Sequence, residues 1–152
     1  DMNLRAPFYS RDLVDAVLKS CDVLKLNMDE LKEIRNLLGV DKPLPEMARY
    51  LEERYRLGLV CVTNGSKGCY LIETGTTKLF ECKPDDSATV IDSVGAGDGF
   101  SAMLSAGYLA GWPKQSMLER ACLFATGICE IQGALPEDDA FYEPFQFQFQ
   151  KK

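Results

Sequence analysis

Apolar positions along this chain recur in two rhythms, one helical and one extended. Leu13, Val14, Val17 and Leu18 share a face of a helix predicted over residues 11–20, which Ser10 can cap. Asp22-Val23-Leu24-Lys25-Leu26 reads as a short strand, and helix follows it at once. Leu31, Ile34, Leu37 and Leu38 give that second helix one buried stripe, and Gly39 stops it. A third helix is predicted from Pro45 to Arg56, with Met47, Tyr50, Leu51 and Tyr55 inward. Leu59-Val60-Cys61-Val62-Thr63 is a continuous apolar run, as a parallel strand buried on both faces should be.

Residues 69–91 change to short strands, with Thr74-Gly75-Thr76-Thr77 as the turn of a hairpin on the sheet edge. The β-branched run Thr89-Val90-Ile91 leads to a glycine-rich turn. Phe100, Met103, Leu104, Gly107 and Tyr108 then fall at i, i+3, i+4, i+7 and i+8 of a helix. The pattern there is strand, turn, helix. Pro113 opens a last helix reaching about Ile131. The opening Asp1–Arg5 reads as the end of a strand, and the tail Phe145–Gln150 alternates like a strand or frays. No internal repeat is apparent. Helices alternating with apolar strands indicate an α/β fold with a parallel sheet.

Composition narrows the classes. A chain of 152 residues is one domain able to build its own core. With 46% hydrophobic and 26% charged residues it has the balance of a soluble globular protein. The net charge of −6 argues against nonspecific nucleic-acid binding. No apolar run approaches the roughly 20 residues of a membrane span, so no membrane partner is expected. The chain begins at Asp1 rather than Met and shows no signal peptide. Cys21, Cys61, Cys69, Cys82, Cys122 and Cys129 form no CxxC pair, and most sit in apolar runs. They read as reduced core thiols of a cytoplasmic protein. The absence of histidine excludes His-dependent triads and His-ligated metals. General-base work must then fall to a carboxylate, Lys, Tyr or Cys.

Three stretches carry candidate chemistry. In Asp92-Ser93-Val94-Gly95-Ala96-Gly97-Asp98, glycine lets the backbone approach a ligand. The free N–H groups of the helix start can hold an anion such as phosphate. Asp98 can cap that helix or act as a base beside a phosphoryl group. Asn27-Met28-Asp29-Glu30 has the spacing of a capping box. Thr63-Asn64-Gly65-Ser66-Lys67-Gly68 is a glycine-punctuated turn without the spacing of a Walker A loop, and Lys67 is either solvated or paired with a phosphate.

The motif Asp92-Ser93-x-Gly95-Ala96-Gly97-Asp98-x-Phe100 resembles the C-terminal signature of the PfkB/ribokinase family of carbohydrate kinases. Met103 departs from it, standing where a small residue is usual. The resemblance implies a ribokinase-like three-layer α/β/α fold with a mainly parallel sheet. It implies Asp98 as catalytic base, with Gly95, Ala96 and Gly97 as the anion hole. Asn27 and Glu30 match the family's Asn-x-x-Glu motif, which helps place magnesium and the phosphates, mainly through water. Thr63, Gly65, Ser66 and Gly68 are similar to a segment contacting the ATP phosphates and ribose. The last helix resembles an adenine-pocket wall, with Cys122 and Ala125, and with Thr126 and Cys129 nearby; Cys122 stands where relatives often carry Asn. Asp92 with the carbonyls near Gly133 resembles a monovalent-cation site, with potassium the candidate ion. Asp1-x-Asn3-x-Arg5 resembles an element of fructokinase-like and 2-keto-3-deoxygluconate kinase-like members, putting Asn3 and Arg5 near the sugar. The structural alternative for Arg5 is a surface ion pair.

The resemblance covers nearly the whole chain but only the C-terminal, ATP-binding half of such a kinase. The expectation is therefore one domain, residues 1–152, without the half carrying most sugar contacts and the lid. The implied function is ATP-dependent phosphorylation of a sugar, fructokinase-like, with MgATP and a small-molecule sugar as partners and a homodimer as the intact form. The alternatives are a 2-keto-3-deoxygluconate kinase or ribokinase-like sugar kinase, a nucleoside or vitamin kinase on the same scaffold, or a noncatalytic nucleotide-binding module.

Overall fold

The computed structural model describes residues 1–44, 46–73, 75, 78–85 and 87–145. The chain forms two compact units: residues 1–65 with 69–81, and residues 66–68 with the chain from Cys82 onward.

The first unit holds a sheet and three helices. Helix α1 (Arg11–Ser20) begins at Ser10, whose hydroxyl accepts the Leu13 N–H at 3.2 Å. Strand β1 (Val23–Asn27) runs directly into α2 (Met28–Leu38). Gly39 ends α2 in the left-handed conformation, and the Val40 N–H returns to the Arg35 carbonyl, a common helix stop. Helix α3 (Glu46–Tyr55) precedes β2 (Leu59–Thr63), and its expected first residue, Pro45, lies outside the described residues. Strands β3 (Cys69–Glu73) and β4 (Leu79–Cys82) complete a sheet of order β1-β2-β3-β4. β1 and β2 are parallel, and β2 and β3 antiparallel, so an edge hairpin extends a parallel pair.

Strand alternation sorts the residues by face. Leu24, Leu26, Val60, Val62 and Ile72 join Val14, Leu18, Leu31, Ile34, Met47 and Leu51 of the helices in one apolar core. The alternate positions Lys25, Leu59, Cys61 and Leu71 are buried as well, as the continuous apolar run requires. Of the four positions assigned to the inner face of α1, Val14 and Leu18 are buried. Leu13 and Val17 are instead exposed, at 50% and 40%, and with the Asp1–Arg5 segment they line a cleft of about 400 Å³.

The second unit is a helical hairpin, α4 (Ala96–Leu109) and α5 (Lys114–Cys129). Phe100 and Leu104 of α4 and Met117, Leu118, Ala121 and Ile128 of α5 are buried. A 3-10 segment, Asp139–Phe145, follows, and its Phe141, Tyr142 and Phe145 cluster around Phe124 with centroids 5.0–6.3 Å away.

Two expected strands do not form. At residues 89–91 the Ile91 and Asp92 N–H groups both reach the single carbonyl of Cys129, at 2.8 and 3.2 Å. One shared acceptor anchors a loop but builds no ladder, and Val90 and Ile91 stay 67% and 62% exposed. Local β propensity is overridden where no neighbouring strand pairs with it. Asp1–Arg5 is also irregular: Asn3 sits at φ +46°, and the Leu4 N–H goes to a carboxylate rather than to a strand. Residues 83–88 add no strand among those described. Of the expected hairpin turn, Thr74, Thr76 and Thr77 lie outside the described residues, as do residues 146–150 of the alternating tail. No helix among the described residues is long and apolar enough to cross a membrane.

Candidate active site

In the first unit the parallel register sets Asn27 beside Thr63, at the C-terminal ends of β1 and β2. That is where open α/β sheets bind their ligands. The Thr63 hydroxyl donates to the Leu26 carbonyl at 3.3 Å, tying the two strand ends together.

Asn27 and Glu30 form a complete capping box. The Asn27 Oδ1 accepts the Asp29 and Glu30 N–H groups at 3.0 and 2.8 Å, and the Glu30 Oε2 accepts the Asn27 N–H at 2.8 Å. The other oxygen, Oε1, accepts the Leu4 N–H at 3.2 Å, and Glu30 is only 7% exposed. Direct ligation by these oxygens would compete with four backbone amides. A hard cation that retains its waters fits this pair through those waters only.

Asn3 and Arg5 are exposed, and the Arg5 Nε lies 3.4 Å from the Asn3 Oδ1. Their segment is pinned by a residue that sequence reasoning passed over. Lys25, only 6% exposed, reaches the Asp1 carboxylate at 2.7 Å. A charge inside Val23-Leu24-Lys25-Leu26 was the available signal. Opposite Lys25 in the register, burial pushes the Cys61 thiol up to about 12 despite the nearby ammonium. Such a thiol is inert, and all six cysteines are free.

The turn after β2 contains one short 3-10 turn, Gly65–Lys67, with Ser66 and Lys67 exposed. At Gly68, φ is +101° and a Cβ would stand 2.3 Å from the Cys82 carbonyl oxygen, so only glycine fits.

In the second unit, Gly95 caps α4 at φ +83°, and no side chain bonds to the helix start. The Ala96 N–H turns toward the Ser93 carbonyl at 3.4 Å, whereas those of Gly97 and Asp98 meet no acceptor among the described residues. Asp98 is exposed in the first turn and does not cap. The N-terminus of α4 thus presents open donors, a positive dipole end and one unengaged carboxylate. A Cβ on Gly95 would come within 2.6 Å of the Ala134 Cβ, so the turn lies directly on the loop after α5.

Asp92 joins the same two loops. Its Oδ1 accepts the Val94 N–H at 3.0 Å and its Oδ2 the Gly133 N–H at 3.1 Å. These amides hold its carboxyl below the usual carboxylate range, which keeps a negative charge there. On α5, Cys122 is buried, whereas Ala125 and Thr126 are partly open. Burial raises the Cys129 thiol.

Comparison with known proteins agrees with this geometry. The model of the pfkB family carbohydrate kinases matches residues 1–138. A fructokinase of Klebsiella pneumoniae is 33% identical over 115 residues, covering 72% of this chain and 35% of the relative. A nucleoside kinase of Methanocaldococcus jannaschii is 32% identical over 127 residues, covering 84% and 39%. The chain thus spans little more than a third of the length of these relatives. The solved M. jannaschii nucleoside kinase superposes with a TM-score of 0.72 at 24% identity, over 88% of this chain and 42% of that one. A putative ribokinase II from E. coli, in complex with ATP and Mg2+, does so with 0.70 at 18% identity, over 82% and 38%. These likenesses establish a ribokinase-like α/β fold. A family match over nine-tenths of the residues, with the glycine turn and the strand-end motifs inside it, leaves one assignment: the chain belongs to the pfkB family of carbohydrate kinases.

Proposed function

We propose that this chain is the nucleotide-binding, base-carrying part of an ATP-dependent sugar kinase, with a fructokinase-like sugar as acceptor. The observation that carries the reading is the uncapped start of α4, with the exposed Asp98 in its first turn. Asp98 accepts the proton of the attacking sugar hydroxyl. The amides from Gly95 to Asp98, with Ala96 turned partly away, stabilise charge on the transferred phosphoryl group. Phosphoryl transfer asks the protein mainly for positioning and electrostatics, which this constellation supplies.

Thr63, Gly65, Ser66 and Gly68 border the nucleotide phosphates and ribose, and Cys122 and Ala125 the adenine side. Asn27 and Glu30 hold magnesium through its waters; when bound, the ion neutralises phosphate charge. Asp92, with the carbonyls near Gly133, is the proposed potassium site. Asn3 and Arg5 face the acceptor, where a guanidinium suits developing charge. The proposed assembly is a cytoplasmic homodimer whose further sugar contacts come from outside these residues.

The M. jannaschii relative supports a second reading, a nucleoside acceptor. The test is ADP release by the protein with its complete reading frame, offered fructose, ribose, 2-keto-3-deoxygluconate, tagatose phosphate and adenosine. Turnover on one sugar that is lost in Asp98→Asn supports the kinase reading. Turnover on adenosine alone favours the second. Silence on all, with MgATP bound, leaves a nucleotide-binding module.

A further inference from the structure

The first unit buries two side chains of opposite charge in the β1–α2 segment, Lys25 at 6% and Glu30 at 7% exposure. A buried charge is costly unless its partners are well placed. Both have partners in the same five residues. The Lys25 ammonium meets the Asp1 carboxylate at 2.7 Å, and the Glu30 Oε1 accepts the Leu4 N–H at 3.2 Å. Between these two anchors lies Asn3, in the left-handed backbone region at φ +46°, with its Oδ1 3.4 Å from the Arg5 Nε. The Phe8 N–H closes the strap by donating to the Arg5 carbonyl at 2.8 Å. The exposed side chains of Asn3 and Arg5 therefore stand on a backbone that two buried charges fix from below.

We propose that Lys25 and Glu30 are positioning residues for the acceptor side of the reaction, holding the Asp1–Arg5 strap so that Asn3 and Arg5 meet the acceptor in a fixed geometry. This rests on the kinase reading above. It gives Glu30 a role distinct from magnesium placement, because its Oε1 is committed to a backbone 26 residues away. The capping box also links the two sites: the carboxylate that fixes the strap also holds the Asn27 N–H at the end of β1.

Glu30→Gln keeps the shape but leaves one carbonyl oxygen where two amides need acceptors. Lys25→Met removes the other anchor and keeps most of the stem. In each, amide hydrogen exchange at Leu4 and Arg5 should quicken about tenfold, while β2 amides keep their protection. Unchanged exchange at these amides would overturn the strap. Steady-state kinetics separate positioning from a metal role. The expected result is an acceptor KM raised about tenfold in both variants, as loss of one charge-assisted contact implies, with the MgATP KM held within about twofold in Lys25→Met. Arg5→Met should then add little on top of Glu30→Gln. A displaced magnesium activation curve with an unchanged acceptor KM would overturn the proposal in favour of metal placement. If the wild type phosphorylates no acceptor, the kinase reading falls and the acceptor role with it, while the exchange experiment still decides the tether.

Discussion

Two helices of this chain begin at sites assigned to phosphate chemistry, and they begin in opposite ways. At α2 the protein itself answers the Asn27, Asp29 and Glu30 N–H groups: Asn27 and Glu30 satisfy them reciprocally. At α4 the cap is a glycine with no side chain to offer, and the Gly97 and Asp98 amides are left open. A helix start closed by its own side chains is a framework element. One left open has donors to give to an anion. On the proposed function, the first start is a support and the second is where an anion is met.

The largest expected effect follows from that separation. Asp98→Asn keeps shape and helix but removes the proposed base, and should cut turnover by about 10²–10⁴-fold. The MgATP KM should stay nearly unchanged in steady-state assays. Near-wild-type turnover would remove Asp98 from the base role and erase the contrast between the helices.

Next come the glycines that end α2 and start α4. Gly95→Ala meets both a left-handed backbone and the Ala134 side chain, which a Cβ would approach to 2.6 Å. Strain and overpacking together cost about 2–4 kcal/mol. Gly39→Ala has a similar φ, +69°, but open space around it, so about 1–2 kcal/mol is expected. Thermal melts of the two variants measure the difference, which is the cost of closeness alone. Equal losses would mean that the loop carrying Ala134 yields freely. Asn27→Ala should cost about 1 kcal/mol, by loss of an N-cap, and a denaturant midpoint would show it.

Much of this could be read from the residues, because much of it is local. Ser10 as cap, the Leu31–Leu38 stripe, the Gly39 stop and the Asn27–Glu30 box each depend on neighbours within a few positions. What escaped depends on distance along the chain. Lys25 looked like a charge in an apolar strand, and its partner stands 24 residues earlier. The second oxygen of Glu30 is likewise claimed from 26 residues away, so periodicity gave no hint of it. Thr89-Val90-Ile91 erred in the other direction. Its composition favours a strand, but a strand needs a ladder, and the Cys129 carbonyl supplies one acceptor for two amides. Of the site, the glycine turn and Asp98 were legible because left-handed turns and helix starts are local too. The strap beneath Asn3 and Arg5 was not.

The smallest effect concerns the loop beside the open helix. Asp92 is to α4 roughly what Glu30 is to α2, a carboxylate with both oxygens on backbone amides, those of Val94 and Gly133. These bonds favour the charged form and hold its folded pKa below the unfolded one. A group of that sign contributes stability that is fully present above its unfolded pKa, about 3.9, and lost as pH falls through the depressed folded value. Asp92→Ala should therefore lower the melting temperature at pH 6, and the gap to wild type should close as pH falls below about 4. A gap constant down to pH 3 would mean that the side chain's packing, not its charge, holds the Gly133 loop against the glycine turn. The parallel between the two carboxylates would then fail at the helix proposed to carry the base.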